Sequence, residues 1–294
     1  MKWFINVCKL IFVRKIAKSS LDFLGYSNLF LAFAVAFSTI QGGFIFNYAS
    51  RSATYFSLVN FVAAFFLYNL QRIFQSTLPT TDSRLLWYRK NKKWIFTIAV
   101  LLAAVFAGNI WDIFLTFKEG LIVYGVCALL SILYFLPPFN LRKIPCLKQF
   151  FIALIWVIVC VFIPLLFEAS EFKGLSNFGK SEWLYIASQF CFISALCIPF
   201  DIRDAEKDKE EGTKSIPVVL GLQQSKVIAI ILLLIYLVLA FFIDIKSLVG
   251  IRGMVFLVSV TAVYFSNPNR HRYYFIFLVE GIIVLQTVLL YNLL

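Results

Sequence analysis

Apolar residues along this chain occur in long blocks that short polar stretches separate. Each block is close to the ~20 residues that a helix needs to cross a bilayer. Inside hydrocarbon, a helix satisfies its backbone polar groups within the segment itself. The pattern therefore predicts an all-α membrane protein with about nine transmembrane helices, forming one polytopic domain over residues 1–294. The nine blocks are Asn28–Phe46, Ala53–Phe74, Trp94–Ile113, Gly120–Leu136, Gln149–Phe167, Glu182–Phe200, Ser225–Ile243, Leu248–Phe265 and Tyr273–Leu293.

The composition excludes a soluble globular domain. Hydrophobic residues make up 61% of the chain and charged residues 14%, whereas an average soluble domain is about 25% charged. Residues 1–27 are different, because basic and apolar residues alternate there without a long apolar core. That pattern is typical of an interfacial amphipathic helix rather than a cleaved signal.

The net charge of +12 is distributed unevenly between the two sides of the predicted topology. With a cytoplasmic N-terminus, 21 of the 27 Lys and Arg residues fall on the cytoplasmic side. By the positive-inside rule this places the C-terminus outside. The basic excess is therefore explained by topology and by attraction to anionic lipids, and we expect no nucleic acid partner.

The most polar stretch of the chain is IPFDIRDAEKDKEEGTKSIPVVLG, residues 198–221. In a helix with about 100° per residue, Asp201, Asp204, Asp208 and Glu211 fall in one arc. Arg203 and Lys207 then lie on the far side, where Glu206 and Glu210 pair with them at helical spacing. The three aspartates are thus predicted to be mostly unpaired, although Asp204 can share Lys207.

Two interpretations of this acidic arc are open. One is a solvated, charged helix end. The other is a magnesium site, since Mg²⁺ takes one or two carboxylates together with phosphate oxygens. Acids at the C-terminal end of a long helix oppose the macrodipole, and a carboxylate directly after apolar residues is costly. Both points favour the metal site, with Asp201, Asp204 and Asp208 as its ligands.

The same stretch resembles the second aspartate-rich motif of the UbiA-type intramembrane prenyltransferases. That motif reads D-x-x-D-x-x-x-D, then Gly, a basic residue, and Ser/Thr-Leu/Ile-Pro-Val ending in Leu-Gly, and residues 201–221 match it in register. The resemblance implies helices bundled around a central cavity that holds a polyprenyl diphosphate. It also implies that Mg²⁺ bridges the diphosphate to two aspartate motifs, and that the prenyl group passes to a lipophilic or aromatic acceptor. Asp201, Asp204 and Asp208 would then be both catalytic and metal-binding.

The first aspartate motif of that family is missing from this chain. Its place at the end of the second span reads YNLQRIFQST, where Asn69 is kept but Leu70, Ile73 and Thr77 stand at the aspartate positions. Arg72 in the same stretch either grips a diphosphate bidentately without metal or extends towards the interface from a span end. Asn69 is predicted to be a substrate-binding residue of the cavity.

Four further residues are candidates for substrate binding. Tyr68 and Tyr134 offer aromatic faces near the cytoplasmic span ends, where they can stabilise a carbocation. Arg142 and Lys214 are basic loop residues that can contact a diphosphate. The single histidine, His271, excludes a His-rich metal centre.

The sequence thus predicts a multi-pass integral membrane prenyltransferase whose active face is cytoplasmic, lying in the cell membrane if the source is bacterial. A catalytically silent relative that binds an isoprenoid or a partner protein is the alternative, because the first motif is absent. A transporter ranks last, since the predicted spans contain almost no ionisable residues away from their ends.

Overall fold

The computed structural model describes residues 18–48, 50–76, 82–135, 141, 144–172, 178–243 and 245–293. These residues are helical with connecting turns, and they contain no strand. The first helices are α1 (Leu29–Phe46), α2 (Ser50–Ser76), α3 (Ser83–Thr116) and α4 (Lys118–Phe135). Helix α5 has three consecutive parts, Lys148–Val157, the π-helical Ile158–Phe162, and Ile163–Phe172. Then follow α6 (Lys180–Glu210), the short α7 (Ile216–Leu220), α8 (Leu222–Ala240), α9 (Lys246–Tyr264), and α10, composed of the π-helical Tyr274–Val279 and Gly281–Leu293.

Eight helices in the described part of the chain are long and apolar enough to cross a membrane. The remaining predicted span, Gly120–Leu136, corresponds to α4, whose apolar stretch Gly120–Tyr134 is shorter than the other eight. The prediction of an all-α, multi-pass integral membrane protein is confirmed. Of the predicted interfacial segment, residues 18–26 are helical and residues 1–17 lie outside the described residues. The interfacial role and the orientation of the termini stay predictions.

The helices pack into a bundle that closes on itself. Helix α1 packs against α2 and α10, α6 packs against α5 and α8, and α9 packs against α8 and α10. Helix α3 packs on the outside of α2 and leaves large apolar side chains exposed, with Trp94 at 72% and Val105 at 71%. An apolar surface of this kind suits contact with lipid rather than water.

Two of the helices contain a π-helical segment, one in α5 and one in α10. Such segments shift the helix face by the width of one extra residue, and they are frequent at functional sites. Here Val159 and Cys160 of the first segment and Ile276 and Val279 of the second line the same internal cavity. The two π-helical segments therefore both border this internal cavity.

Candidate active site

A cavity of about 610 Å³ lies between α1, α2, α3, α4, α5, α6 and α10. Most of its charged lining residues lie near the ends of these helices, such as Arg72 near the end of α2 and Lys148 at the start of α5. Further along the helices the lining is mostly apolar, with Val35, Val59 and Ile155 as examples. The cavity therefore combines a charged mouth with an apolar interior.

The glycine of the aspartate-rich stretch ends α6. Gly212 has φ +71°, a left-handed conformation that glycine adopts without steric cost. The N–H of Gly212 donates to the Lys209 carbonyl at 3.2 Å, and the N–H of Thr213 donates to the Asp208 carbonyl at 2.7 Å. This pair of bonds is a Schellman motif. The chain then reverses through Ser215, so the aspartates lie on the last three turns of a helix that stops abruptly.

A second backbone contact joins this turn to the loop before α5. The N–H of Cys146 donates to the Lys214 carbonyl at 2.8 Å, and Cys146 itself has a φ of +56°. Helix α5 begins two residues later, at Lys148. The loop is thereby tied to the end of α6, which brings the Lys148 side chain to the aspartates.

All three aspartates line the cavity, as does Glu211, so the predicted acidic arc is present. The expectation that they are mostly unpaired is wrong. Lys148 Nζ lies 2.9 Å from Asp201 Oδ1 and 2.7 Å from Asp208 Oδ2. Arg203 binds Asp204 through two bonds of 2.8 Å instead of facing away. The physical reason differs between the two contacts. The long Arg203 side chain can bend along the helix surface to reach Asp204. Asp201 and Asp208 are buried, and a buried carboxylate is stable only when a cation or hydrogen-bond donors compensate it.

These contacts bear on whether the aspartates fit Mg²⁺. In the described part of the chain, no group of three or more His, Cys, Asp or Glu side chains is arranged to hold a metal ion. Two carboxylates do converge on one cation position, which the Lys148 ammonium takes, and Asp201 Oδ2 is buried without a hydrogen-bond partner. Since Mg²⁺ is commonly held by one or two carboxylates plus phosphate oxygens, Asp201 and Asp208 fit a single ion. Asp204 instead forms an ion pair with Arg203.

The part of the cavity lining that α2 and α3 contribute forms a wall that is basic and amidic. Gln71, Arg72 and Gln75 of α2 line the cavity, and Arg72 donates to Gln75 Oε1 at 2.7 Å. Arg84 of α3 also lines it and donates to Asn28 Oδ1 at 2.6 Å. Leu70 is not among the lining residues and is 37% exposed. The cavity face of α2 therefore carries hydrogen-bond donors.

Asn69 lies behind this wall rather than in it. It is 3% exposed, accepts a hydrogen bond from Asn28 Nδ2 at 3.3 Å, and donates to the Phe65 carbonyl at 2.7 Å. Asn28 in turn lines the cavity. In this arrangement, Asn69 orients a cavity residue, and direct substrate contact by Asn69 stays a prediction.

The structure brings some of the other predicted residues to the cavity. Tyr68 lines it and accepts a hydrogen bond from Trp156 Nε1 at 2.9 Å, which leaves the Tyr68 hydroxyl proton available to a ligand. Tyr134 lines it and stacks on Phe151 with ring centroids 5.2 Å apart. Lys214 is exposed and does not line the cavity, and Arg142 lies outside the described residues. Their diphosphate contacts remain predictions.

Six charged lining residues were not among the predicted site residues: Arg84, Lys148, Arg203, Lys207, Glu211 and Glu280. Glu280 follows the π-helical segment of α10, and one of its carboxylate oxygens is buried without a partner. The expectation of almost no ionisable residues within the spans is thus wrong for Glu280. The sequence alone could have indicated Glu280, because an acidic residue within an apolar span is by default a candidate functional residue.

The UbiA prenyltransferase family model matches residues 88–275. The chain belongs to the UbiA prenyltransferase family. No curated protein and no solved structure shows significant similarity to it. The matched range includes the aspartate-rich end of α6 and begins after α2, so the basic wall at Arg72 lies outside it.

Membership of the UbiA family agrees with the geometry of the cavity. Proteins of this family bind a polyprenyl diphosphate and a lipophilic acceptor in the membrane, and generally use Mg²⁺ to bind the diphosphate. A charged mouth above an apolar interior matches an amphiphile with a polyanionic head and a hydrocarbon tail. At family level, the chain is a membrane prenyltransferase.

Proposed function

We propose that this UbiA-family protein transfers a prenyl group from a polyprenyl diphosphate to a lipophilic or aromatic acceptor at the cytoplasmic face of the membrane. The observation that carries the proposal is that one cavity combines two kinds of lining. The three aspartates and Arg72 line its charged mouth, and apolar side chains line its interior. The basic loops predicted on the same side as the mouth support the cytoplasmic orientation.

In this proposal the diphosphate is bound in two ways, through a magnesium ion held by aspartates and directly by arginines. Asp201 and Asp208 would hold one Mg²⁺, and when bound there this ion neutralises the charge that develops on the departing diphosphate. Among the described residues, Arg72 and Arg84 have no ion-pair partner, and both line the mouth. A guanidinium binds phosphate oxygens in a bidentate manner. These two arginines therefore take the place of the missing acidic wall and its metal.

The prenyl chain would lie in the apolar part of the cavity. As the carbon–oxygen bond to the diphosphate breaks, positive charge develops on the allylic carbon. The aromatic faces of Tyr68 and Trp156, which are hydrogen-bonded to each other and line the cavity, can stabilise that charge by cation–π attraction. The acceptor then forms its new bond to this carbon and loses a proton to the released diphosphate, which leaves as the second product.

The test is transfer from a radiolabelled allylic diphosphate in proteoliposomes, with a panel of phenolic and lipid acceptors. We expect Asp201→Asn and Asp208→Asn to lower the rate by about 100-fold or more, because each loses a charge-assisted ligand worth several kcal/mol. Glu210→Gln is the matched control, since Glu210 is an exposed acid on the same helix. A wild-type rate equal to that of Asp201→Asn with every acceptor would refute the proposal.

A catalytically silent relative that binds an isoprenoid is the second candidate. The observations in its favour are that the first aspartate motif is absent and that the cavity face of α2 presents the neutral amides Gln71 and Gln75. It predicts binding of a prenyl diphosphate without turnover. The variant Gln71→Asp/Gln75→Asp, in which an acidic wall is rebuilt, would then acquire activity that the native chain lacks.

A further inference from the structure

Arg252 is a fully buried cation on a membrane-spanning helix. It lies on α9, its side chain is 0% exposed, and its guanidinium carbon lies 4.9 Å from the ring centroid of Tyr236 and 5.7 Å from that of Tyr185. Two aromatic faces from α8 and α6 thus flank the charge. Cation–π attraction offsets part of the cost of burial but supplies no hydrogen bond.

The polar atoms around this cation have no hydrogen-bond partner among the described residues. Nε and both terminal nitrogens of Arg252 are buried without a hydrogen bond in the described part of the chain. The hydroxyl oxygens of Tyr185 and Tyr236, which are both 0% exposed, are also unpartnered. Gln189, one turn further along α6 than Tyr185, is buried with its amide atoms unpartnered as well. Among the described residues, the cluster offers several hydrogen-bond donors and no carboxylate.

The cluster lies away from the aspartates at the mouth of the proposed active-site cavity. On α6, Tyr185 precedes Asp201 by 16 residues, which corresponds to about 24 Å along the helix axis. None of Arg252, Tyr185 and Tyr236 lines that cavity. Arg252 therefore does not bind the diphosphate or its metal ion.

A buried, unpaired charge costs many kcal/mol unless an opposite charge and hydrogen bonds compensate it. Water can satisfy the donors but not the charge, whereas a small anion satisfies both. A bulky lipid headgroup does not suit a guanidinium that is completely enclosed. We propose that Arg252, together with the Tyr185 and Tyr236 hydroxyls, binds a small inorganic anion of the size of chloride between α6, α8 and α9.

The experiment measures the thermal stability of the purified full chain in detergent while chloride replaces gluconate at constant ionic strength. Binding to the folded state alone raises stability with ligand concentration, so we expect the melting temperature to rise and to saturate. Arg252→Met should remove this dependence. Arg270→Met is the matched control, because Arg270 also lies over a tyrosine ring, at 5.7 Å from Tyr274, but is exposed.

A milder variant keeps the proposal testable if Arg252→Met does not fold. Tyr236→Phe retains the cation and the aromatic face but deletes one donor to a charged acceptor, so the half-saturating chloride concentration should rise about tenfold or more. A melting temperature that does not depend on chloride, as expected for a merely hydrated arginine, would overturn the proposal. So would an unchanged half-saturation in Tyr236→Phe, or an equal chloride response in Arg252→Met.

Discussion

Removing the Lys148 ammonium tests whether Asp201 and Asp208 form one cation position. The ammonium lies 2.9 and 2.7 Å from the two carboxylates, whose side chains are 4% and 6% exposed. Deleting one partner of a buried ion pair leaves uncompensated charge and costs about 3–5 kcal/mol. We therefore expect Lys148→Met to unfold at a temperature roughly 10 °C lower than the wild-type protein in the absence of divalent ions.

Magnesium should reverse much of this loss. With Lys148 gone, the two carboxylates can accept Mg²⁺ without competition, and a ligand at 100 times its dissociation constant stabilises the folded state by about 2.7 kcal/mol. The Mg²⁺-dependent rise in melting temperature should thus be larger in Lys148→Met than in the wild-type protein. A thiol-reactive dye can report unfolding through the buried cysteines Cys127 and Cys160.

Two controls separate this effect from general damage. Lys209→Met removes an exposed lysine next to Asp208 and should change stability by less than about 0.5 kcal/mol. Lys148→Met/Asp208→Asn should lose the magnesium response, because one of the two ligands is gone. If Lys148→Met is as stable as Lys209→Met, or if its Mg²⁺ response survives the Asp208 substitution, the shared cation position is refuted.

Substitutions of Arg72 and of Glu280, which also line the cavity, should change the affinity for pyrophosphate in opposite directions. Arg72→Gln should raise the inhibition constant of inorganic pyrophosphate about 10- to 100-fold, since a hydrogen bond to a charged group contributes about 1.5–3 kcal/mol, and Arg72→Lys should recover part of the loss. Glu280→Gln should lower the same constant several-fold, because it removes one negative charge from the cavity lining and so leaves the lining with a net positive charge. Equal changes in both variants would contradict the electrostatic assignment.

The helices were the most predictable part of this protein. Long apolar blocks such as Asn28–Phe46 coincide with a helix almost residue for residue, because hydrocarbon leaves the backbone little alternative. The π-helical segments in α5 and α10 were not predictable from hydropathy. An extra residue in a helix depends on packing against neighbours, and an apolar run of constant composition carries no mark of it.

Which acids share a helix face was predictable, but their partners were not. The helical period alone placed Asp201 and Asp208 in one arc, and both line the cavity. The cation that they share, Lys148, precedes Asp201 by 53 residues in the sequence. The backbone hydrogen bond between Cys146 and Lys214 places it beside the aspartates. Such a contact depends on tertiary packing. Periodicity within one helix therefore could not reveal it.

The balance of charge around the cavity explains how a site without the first aspartate motif can still bind a polyanion. The basic lining residues are Arg72, Arg84, Lys148, Arg203 and Lys207, and the acidic ones are Asp201, Asp204, Asp208, Glu211 and Glu280. Their formal charges cancel, so the mouth has no excess of negative charge to repel a diphosphate. Acids at Gln71 and Gln75 would create such an excess, and a second divalent ion would be needed to offset it. With an amide and guanidinium wall, a single Mg²⁺ suffices to make the mouth attractive to a diphosphate, because opposite charges in a poorly hydrated cleft interact strongly.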